Sequence, residues 1–143
     1  MAQGTNREYS ADKIRNIALV GHGGSGKTTF TEGLLFITGT TNRLGKVDEG
    51  STVSDYHPDE IERKISINSS LLHCDWQGFK LNLLDTPGYS DFVGEVIGSL
   101  RVADAAVVVI KAVEGAEVGT EIVWNVARDY KTPSFILINK LDN

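Results

Sequence analysis

Eight residues near the amino terminus, Gly21 to Thr28, constrain the fold of this chain more than any other segment. They read Gly-His-Gly-Gly-Ser-Gly-Lys-Thr and fit the pattern G-x-x-x-x-G-K-S/T. The apolar run Ile17–Val20 before them predicts a buried strand. The segment Thr29–Thr38 after them predicts a helix with Phe30, Leu34 and Ile37 on one apolar face. A glycine-rich turn in this setting lets backbone N–H groups surround phosphate oxygens at the positive end of the helix dipole. The sequence therefore predicts a phosphate-binding loop in an α/β fold.

Two side chains of this loop carry the predicted chemistry. Lys27 would neutralise the β- and γ-phosphates of a nucleotide, and the Thr28 hydroxyl would bind Mg²⁺. The other loop residues that we expect to bind the nucleotide are His22, Gly23, Gly24, Ser25, Gly26 and Thr29. The alternative is a glycine-rich turn that only resembles such a loop, and the flanking strand and helix argue against it.

The composition limits the remaining possibilities. A chain of 143 residues suits one domain, and a net charge of −5 offers no basic surface for direct DNA binding. No apolar run is long enough to span a membrane. Cys74 is the only cysteine, so we expect no internal disulfide and a reducing, cytoplasmic setting. We also expect a monomer, with residues 1–12 as a polar lead-in.

Strand and helix patterns alternate along the chain, which predicts a mostly parallel sheet with helices on both faces. The predicted strands are Ile14–Val20, Ile65–Trp76, Lys80–Leu84, Ala105–Ile110 and Ser134–Ile138. The later helices are predicted at Asp91–Ala103, with Val93, Val96, Ile97 and Leu100 at helical spacing, and at Glu117–Tyr130, with Val118, Ile122, Val126 and Tyr130 four apart. Mixed polarity in Ile65–Trp76 predicts an edge strand, and Gln77-Gly78 predicts a hairpin with the next strand.

The segment 40–64 is long, charged and poor in apolar residues. Long loops inside compact domains are usually functional or disordered, so this segment is either a functional loop or an insertion. Its position between the phosphate loop and the edge strand favours a functional loop.

A third predicted strand ends in Asp85-Thr86-Pro87-Gly88. A carboxylate at a strand end beside a phosphate loop is placed to hold Mg²⁺, directly or through water. Gly88 lets its backbone N–H approach a γ-phosphate closely, and loss of that phosphate would release the loop. The alternative is a strand that ends in a Pro-Gly turn with Asp85 as a cap.

The last predicted strand ends in Asn139-Lys140-Leu141-Asp142. The Asp142 carboxylate can accept hydrogen bonds from N1–H and the 2-amino group of guanine, and adenine lacks that pair of donors. Asn139 can bridge the base and the phosphate loop, and the stem of Lys140 can lie over the purine. These residues predict a guanine nucleotide, and an ATP-dependent enzyme is a distant alternative.

The order and spacing of these motifs resemble the Ras-like GTPase superfamily, and within it elongation factor G. The resemblance runs from Ile14 onward and includes Asp91-Phe92-Val93-Gly94-Glu95-Val96 and the stretch Glu62–Ile67, similar to the family's first switch. It implies the strand order 2-3-1-4-5, GTP hydrolysis stimulated by the ribosome, a first switch at 40–64, and Ser66 as a Mg²⁺ ligand where the family carries threonine.

Three residues depart from the family pattern. Lys64 replaces a glycine of the first switch, so we expect a different backbone path there, and Gly24 stands where these factors usually carry aspartate. Tyr89 follows Gly88 at the place of the histidine that positions the attacking water. A phenol is a poor base at neutral pH but can orient water. The three departures resemble the divergent, paralogous branch of elongation factor G. We expect catalysis by Tyr89, with Lys27 and Gly88, to be slow without a partner.

Several interpretations stay open at this stage. The favoured one is a translational GTPase that acts as a ribosomal translocase, and the tetracycline-resistance ribosomal protection factors share its motifs. Because of Tyr89, a GTP-dependent switch with negligible turnover is the alternative. The superfamily continues beyond the Asn139–Asp142 motif with another loop, a strand and a helix, so we expect residues 1–143 to be an incomplete domain with an exposed sheet edge and weakened nucleotide affinity.

Overall fold

The computed structural model describes residues 8–142, which form one sheet of five strands with helices on both faces. The strands are β1 (Ile14–Val20), β2 (Ser70–Trp76), β3 (Phe79–Asp85), β4 (Ala105–Lys111) and β5 (Ser134–Asn139). Their order is β2-β3-β1-β4-β5, with β2 antiparallel to β3 and all other neighbours parallel. This confirms the predicted fold class and strand order. Residues 1–7 of the predicted lead-in, and Asn143, lie outside the described residues.

Four α-helices accompany the described strands. They are α1 (Lys27–Ile37), α2 (Pro58–Arg63), α3 (Val93–Val102) and α4 (Val118–Asp129), with short 3-10 turns at Ala11–Lys13, Val47–Glu49 and Ser90–Phe92. The predicted loop 40–64 therefore contains two short helical pieces. No helix among the described residues is long and apolar enough to cross a membrane.

The core has one apolar layer on each face of the sheet. On one face α1 contributes Leu35, which packs with Leu19, Cys74 and Leu83 of the strands. On the other face α3 and α4 cover β1 and β4 through Val96, Leu100, Val123 and Ala127, against Ala18, Val20, Ala106 and Val108. Because β1 is covered on both sides, its end holds the phosphate loop rigidly between the layers.

The β2–β3 hairpin forms as predicted. Trp76 pairs with Phe79, and the two residues between them, Gln77 and Gly78, have φ values of 48° and 83°. Positive φ at both central positions is the geometry of a two-residue hairpin turn whose twist matches that of the strands. Gly78 adopts a positive φ without strain, whereas the same conformation at Gln77 costs conformational energy.

The predicted edge strand is wrong in its first part. The strand begins at Ser70, and Ile65–Ser69 forms irregular backbone. The backbone N–H groups of Ile67 and Asn68 donate to one carboxylate oxygen of Glu60, both at 3.0 Å. These backbone N–H groups need no partner on a neighbouring strand, because the buried carboxylate of Glu60 already accepts their hydrogen bonds.

The predicted buried faces of two helices also need correction. Ile37 of α1 is 72% exposed, and Val118 and Tyr130 at the ends of α4 are exposed as well. In α4 the buried positions are Thr120, Val123 and Ala127 instead. The apolar spacing of four therefore identified the helix. Val126 of that row packs against the core, but the fully buried positions lie beside the row.

The hairpin turn gives a direct test of this geometry. Gln77→Asn should stabilise the chain by a few tenths to about 1 kcal/mol, because asparagine tolerates positive φ better and Asn-Gly favours this turn. Gln77→Val should destabilise it, since a β-branched residue strongly resists positive φ. Urea unfolding of the two variants and the parent chain measures both effects, and equal midpoints for all three would contradict the turn assignment.

Candidate nucleotide-binding site

The phosphate loop lies between β1 and α1, and its lysine is buried. Gly26 precedes α1 with φ 95°, and Lys27 is the first residue of the helix. The Lys27 side chain is 6% exposed, and its ammonium donates hydrogen bonds to the carbonyls of Gly21 at 3.1 Å and His22 at 3.0 Å. The loop thus curls around a cation that water scarcely reaches.

Asn139, at the end of β5, holds the phosphate loop from the side. Its amide nitrogen donates to the carbonyl of Ser25 at 2.9 Å. The same nitrogen lies where a side chain on Gly26 would have to start, so glycine is needed there both for space and for its left-handed φ. The predicted link between Asn139 and the phosphate loop is therefore present.

Asp85 ends β3 as a buried carboxylate. Both of its oxygens are inaccessible and have no hydrogen-bond partner among the described residues. Burial raises the pKa of Asp85 to about 7, although the nearby Lys27 ammonium acts in the opposite direction. The next residue, Thr86, donates from its hydroxyl to the carbonyl of Leu19 at 2.6 Å and so ties this strand end to β1.

Burial acts on Lys27 in the complementary way. It lowers the pKa of the ammonium to about 8, while the carboxylates of Asp85 and Asp55 favour the charged form. The buried Lys27 cation and the buried Asp85 carboxylate therefore attract each other at the phosphate loop. Such a pair can accept an anionic and a cationic ligand at once.

Ser66 reaches the phosphate loop from the long segment. Its hydroxyl lies 3.2 Å from the Thr28 hydroxyl and donates to the Asp55 carboxylate at 2.8 Å. The pairing of Thr28 and Ser66 was expected from the resemblance, but the sequence analysis missed Asp55. Asp55 is only 5% exposed, and burial raises its pKa. An acidic residue within a loop that flanks a phosphate site was the one available signal.

Two further buried carboxylates hold the long segment 40–64, which the resemblance predicts to be the first switch. Glu32 of α1 is fully buried and accepts the backbone N–H of Val53 at 2.6 Å. Glu60 of α2 is 1% exposed and accepts the backbone donors that follow Lys64. The sequence analysis missed both. For Glu32 a signal existed, since it lies one helical turn after Thr28 and therefore on the same face of α1.

Lys64 ends α2 with φ 55°, in the left-handed region. Glycine is the usual residue for this position after a helix, because it reaches that region without strain. The lysine thus keeps a backbone conformation that a glycine would favour, at some cost in strain.

The two residues after Pro87 close against the phosphate loop. A Cβ on Gly88 would lie 2.7 Å from the Cα and N atoms of Gly23, so only glycine fits this approach. The ring of Tyr89 lies over Gly23 and remains 44% exposed. The predicted catalytic residue is therefore at the wall of the site and within reach of solvent.

These elements surround a cleft of about 460 Å³. The predicted site residues that line it are Gly23, Gly24, Gly26, Lys27, Thr28, Thr29, Ser66, Gly88, Tyr89 and Lys140. Asp55 lines it too. Asp142 is exposed and lies outside this lining.

The imidazole of His22 points elsewhere. Its Nδ1 accepts the backbone N–H of Gly119 at 3.3 Å, and its Nε2 lies 3.4 Å from the Glu117 carboxylate. Glu117 also pairs with Lys111 at 3.1 Å. The side chain of His22 therefore joins the phosphate loop to the start of α4, and only the backbone of this residue faces Lys27.

Comparison with known proteins identifies the family of this chain. The family model described as the elongation factor Tu GTP binding domain matches residues 12–143. The ribosome-releasing factor 2, mitochondrial, of Candida albicans is 46% identical over 138 residues, covering 96% of this chain and 17% of that protein. The protein of the same name from Candida dubliniensis is 47% identical over 132 residues, covering 92% of this chain and 16% of its own length. The chain thus spans less than a fifth of these relatives.

Solved structures show the same fold. A crystal structure of a protein from Thermus thermophilus matches with a TM-score of 0.89 and 46% identity, covering 91% of this chain and 20% of that one. The bacterial selenocysteine-specific elongation factor EF-Sec matches with a TM-score of 0.73 at 24% identity, covering 91% of this chain and 20% of its own, and shows the fold alone. From its fold, its site and the family match, the chain belongs to the elongation factor Tu GTP-binding domain family and is a guanine-nucleotide-binding domain.

Proposed function

We propose that this domain binds GTP with Mg²⁺, hydrolyses it, and serves a translation factor that acts on the ribosome and resembles elongation factor G. The observation that carries the proposal is the meeting of the Thr28 and Ser66 hydroxyls, 3.2 Å apart, beside the buried Lys27. It brings the first switch to the phosphate loop, as a nucleotide-dependent switch requires.

The loop and Lys27 suit the phosphates of a nucleotide. The ammonium is buried and its hydrogen bonds go to two carbonyls of its own loop, which a phosphate oxygen with its negative charge would outcompete. Burial that lowers the pKa of Lys27 to about 8 leaves it mostly charged at neutral pH. A bound phosphate would raise that pKa further, because it favours the cationic form.

The residues around Asp85 suit a magnesium ion. Asp85 has two buried oxygens without a partner among residues 8–142. The Thr28 hydroxyl lies near Asp85 and is 3.2 Å from the Ser66 hydroxyl. No three His, Cys, Asp or Glu side chains in that range form a complete metal cage. We therefore propose that Mg²⁺ is held by Thr28, Ser66 and Asp85 together with the nucleotide, with Asp55 holding Ser66 in place. When bound, the ion supplies charge neutralisation on the phosphates.

The Asn139–Asp142 motif provides the proposed guanine selectivity. Asn139 holds the phosphate loop, and Lys140 lines the cleft. Asp142 lies exposed just beyond, where its carboxylate can meet the edge of a base that leaves the cleft. A guanine edge offers that carboxylate two donors, and an adenine edge does not.

Tyr89 is the proposed group that orients the attacking water. Its ring forms part of the cleft wall next to Gly88, and its exposure lets water approach. A phenol hydroxyl can donate to and accept from one water molecule but is a poor base at neutral pH. We expect Tyr89 to orient the water without removing its proton, so turnover on its own should be slow.

The ribosome is the proposed partner of the whole protein. Two curated relatives are named ribosome-releasing factors, and the two matches extend over 96% and 92% of this chain. Their names also say mitochondrial, so a cytoplasmic location of this protein stays a prediction, as do the monomeric state and the absence of DNA binding.

Tyr89 supports a second candidate function. A domain that binds GTP, closes its first switch and turns over very slowly would serve as a ribosome-bound switch. The exposed phenol at the water-positioning place favours this interpretation over a fast translocase.

The charge state of Asp85 gives a test that needs no turnover. Its pKa is about 7 in the fold and near 4 in the unfolded chain, so the proton is held more tightly in the fold. The contribution of the protonated Asp85 carboxyl to the stability of the fold is complete below pH 4 and is lost as the pH rises through 7. Asp85→Asn should therefore stabilise the nucleotide-free chain more at pH 7.5 than at pH 5, by about 2 kcal/mol.

Urea unfolding at both pH values measures this difference. The same variant should lose most of the Mg²⁺-dependent gain in GTP affinity, which equilibrium binding with and without Mg²⁺ measures. If Asp85→Asn shifted stability equally at both pH values, the charge assignment would be wrong. If it left the Mg²⁺ dependence intact, the metal role would be wrong.

The base assignment predicts a change of specificity. Asp142→Asn should weaken GTP binding by about 100-fold or more and improve binding of xanthosine triphosphate, because the amide can donate to the 2-oxo group. Asp129→Asn, an exposed carboxylate at the end of α4, is the matched control and should change neither affinity. An unaltered preference for GTP in Asp142→Asn would refute the assignment.

The role of Tyr89 is tested by phosphate release from the full-length protein, with and without ribosomes. Tyr89→His should raise intrinsic hydrolysis by about 10-fold or more, since imidazole is the better base at neutral pH. Tyr130→His, at an exposed tyrosine outside the cleft lining, is the control. No change in either intrinsic or ribosome-stimulated turnover would show that Tyr89 does not limit hydrolysis. Tight GTP binding without turnover under any condition would favour the switch.

A further inference from the structure

Gly23 is the glycine of the phosphate loop whose backbone does not demand glycine. The φ angles of Gly21, Gly24 and Gly26 are 145°, 71° and 95°, all in the region that favours glycine. Gly23 is not among the positive-φ glycines. An L-residue could therefore adopt its backbone conformation, and the reason for a glycine at this position must lie in what surrounds it.

The surrounding group is the ring of Tyr89. A Cβ built on Gly23 would lie 2.9 Å from Cζ of Tyr89, 3.1 Å from Cε1 and 3.2 Å from Cε2. Carbon atoms in contact are normally about 3.5–4.0 Å apart, so a single methyl group at position 23 would displace the ring. The atoms nearest to Gly23 are those at the far end of the ring, where Cζ bears the hydroxyl.

The backbone on both sides of Tyr89 makes contacts of its own. The preceding residue, Gly88, is pressed against Gly23, with its Cβ position 2.7 Å from Cα and N of that residue. On the other side, the carbonyl of Tyr89 accepts the N–H of Phe92 at 3.0 Å, in the 3-10 turn Ser90–Phe92. Rotation about the side-chain torsions is therefore the response of the ring that breaks none of these contacts. Rotation moves the hydroxyl.

We propose that Gly23 is a positioning residue for Tyr89: the missing side chain at position 23 lets the phenol ring rest on the phosphate loop and so sets where its hydroxyl stands. This rests on the proposed function, in which that hydroxyl orients water. The two residues form a matched pair, and the phosphate loop itself supplies the surface that fixes the side chain acting above it.

The consequence for the reaction follows from how narrowly a reacting water must be placed. A displacement of about 1 Å at a reacting group can cost about 100-fold in rate. Gly23→Ala should therefore lower kcat for GTP hydrolysis by about 10- to 100-fold. Its KM and GTP affinity should change little, because the added methyl group points at the ring of Tyr89. A purely structural role of Gly23 would lower nucleotide affinity together with kcat.

The test is a double-mutant cycle in the full-length protein with ribosomes, using Gly23→Ala, Tyr89→Ala and the double variant. In the Tyr89→Ala background the ring is absent, so Gly23→Ala should cause no further loss of kcat. Gly33→Ala is the matched control: this glycine lies in α1, and beyond its chain neighbours and the backbone of its own helix no described atom is within 4 Å of its Cβ position. It should leave kcat and KM unchanged.

Equal fold losses from Gly23→Ala in both backgrounds would overturn the pairing, since position 23 would then act independently of the ring. A rise in KM with kcat unchanged would also overturn it, because the methyl group would be disturbing the nucleotide instead. Failure of the proposed function is seen separately, as absence of GTP hydrolysis in the parent protein.

In that case urea unfolding of the same four proteins decides the pairing. A lower midpoint for Gly23→Ala with Tyr89 present, and no shift with Tyr89→Ala, would support the contact. Equal shifts in the two backgrounds would refute it.

Discussion

The site depends on two opposite charges that are withdrawn from water at the carboxyl ends of the parallel strands. Lys27 and Asp85 are 6% and 1% exposed, and burial acts against the charged form of each. Their mutual attraction compensates only part of that cost, because buried charges need partners with good geometry. The strands hold them there through backbone hydrogen bonds and the Thr86 bond to Leu19. In the complex that we propose, a nucleotide phosphate would bring to Lys27, and a magnesium ion to Asp85, the opposite charge that each group lacks.

The segment 40–64, the proposed first switch, is held by buried carboxylates more than by apolar packing. Glu32, Asp55 and Glu60 accept a backbone N–H of Val53, the hydroxyl of Ser66 and the backbone donors after α2, respectively. Apolar burial contributes little, since Leu44, Val53 and Tyr56 of this segment are all exposed. A segment fastened by a few hydrogen bonds opens locally at low cost compared with a packed element. This is the physical property that a nucleotide-dependent switch needs.

The sequence predicted the parts of the fold that rest on periodicity and turn chemistry. Alternating patterns located all five strands, and Gln77-Gly78 located the hairpin, because these signals are local. The strand order came from the family resemblance. Glu60 shows why the irregular backbone before β2 was not predicted. Its carboxylate accepts the N–H groups of Ile67 and Asn68, seven and eight residues away, so these residues do not join the predicted strand. No local pattern reveals that a polar side chain will satisfy distant backbone donors.

The phosphate loop is contacted from several directions, and the contacts differ in what they allow. Asn139 and Tyr89 both reach positions where only glycine leaves room, at Gly26 and Gly23. His22 extends to the backbone of Gly119 at the start of α4. Because each contact is made to the loop itself, a small movement of the loop on nucleotide binding changes the environment of β5, α4 and the residues after Gly88 together. Packed groups respond to such movement by shifting between discrete arrangements, since close-packed interiors do not deform smoothly. The phosphate loop is therefore both the predicted site of the nucleotide phosphates and the segment that β5, α4 and the residues after Gly88 contact together.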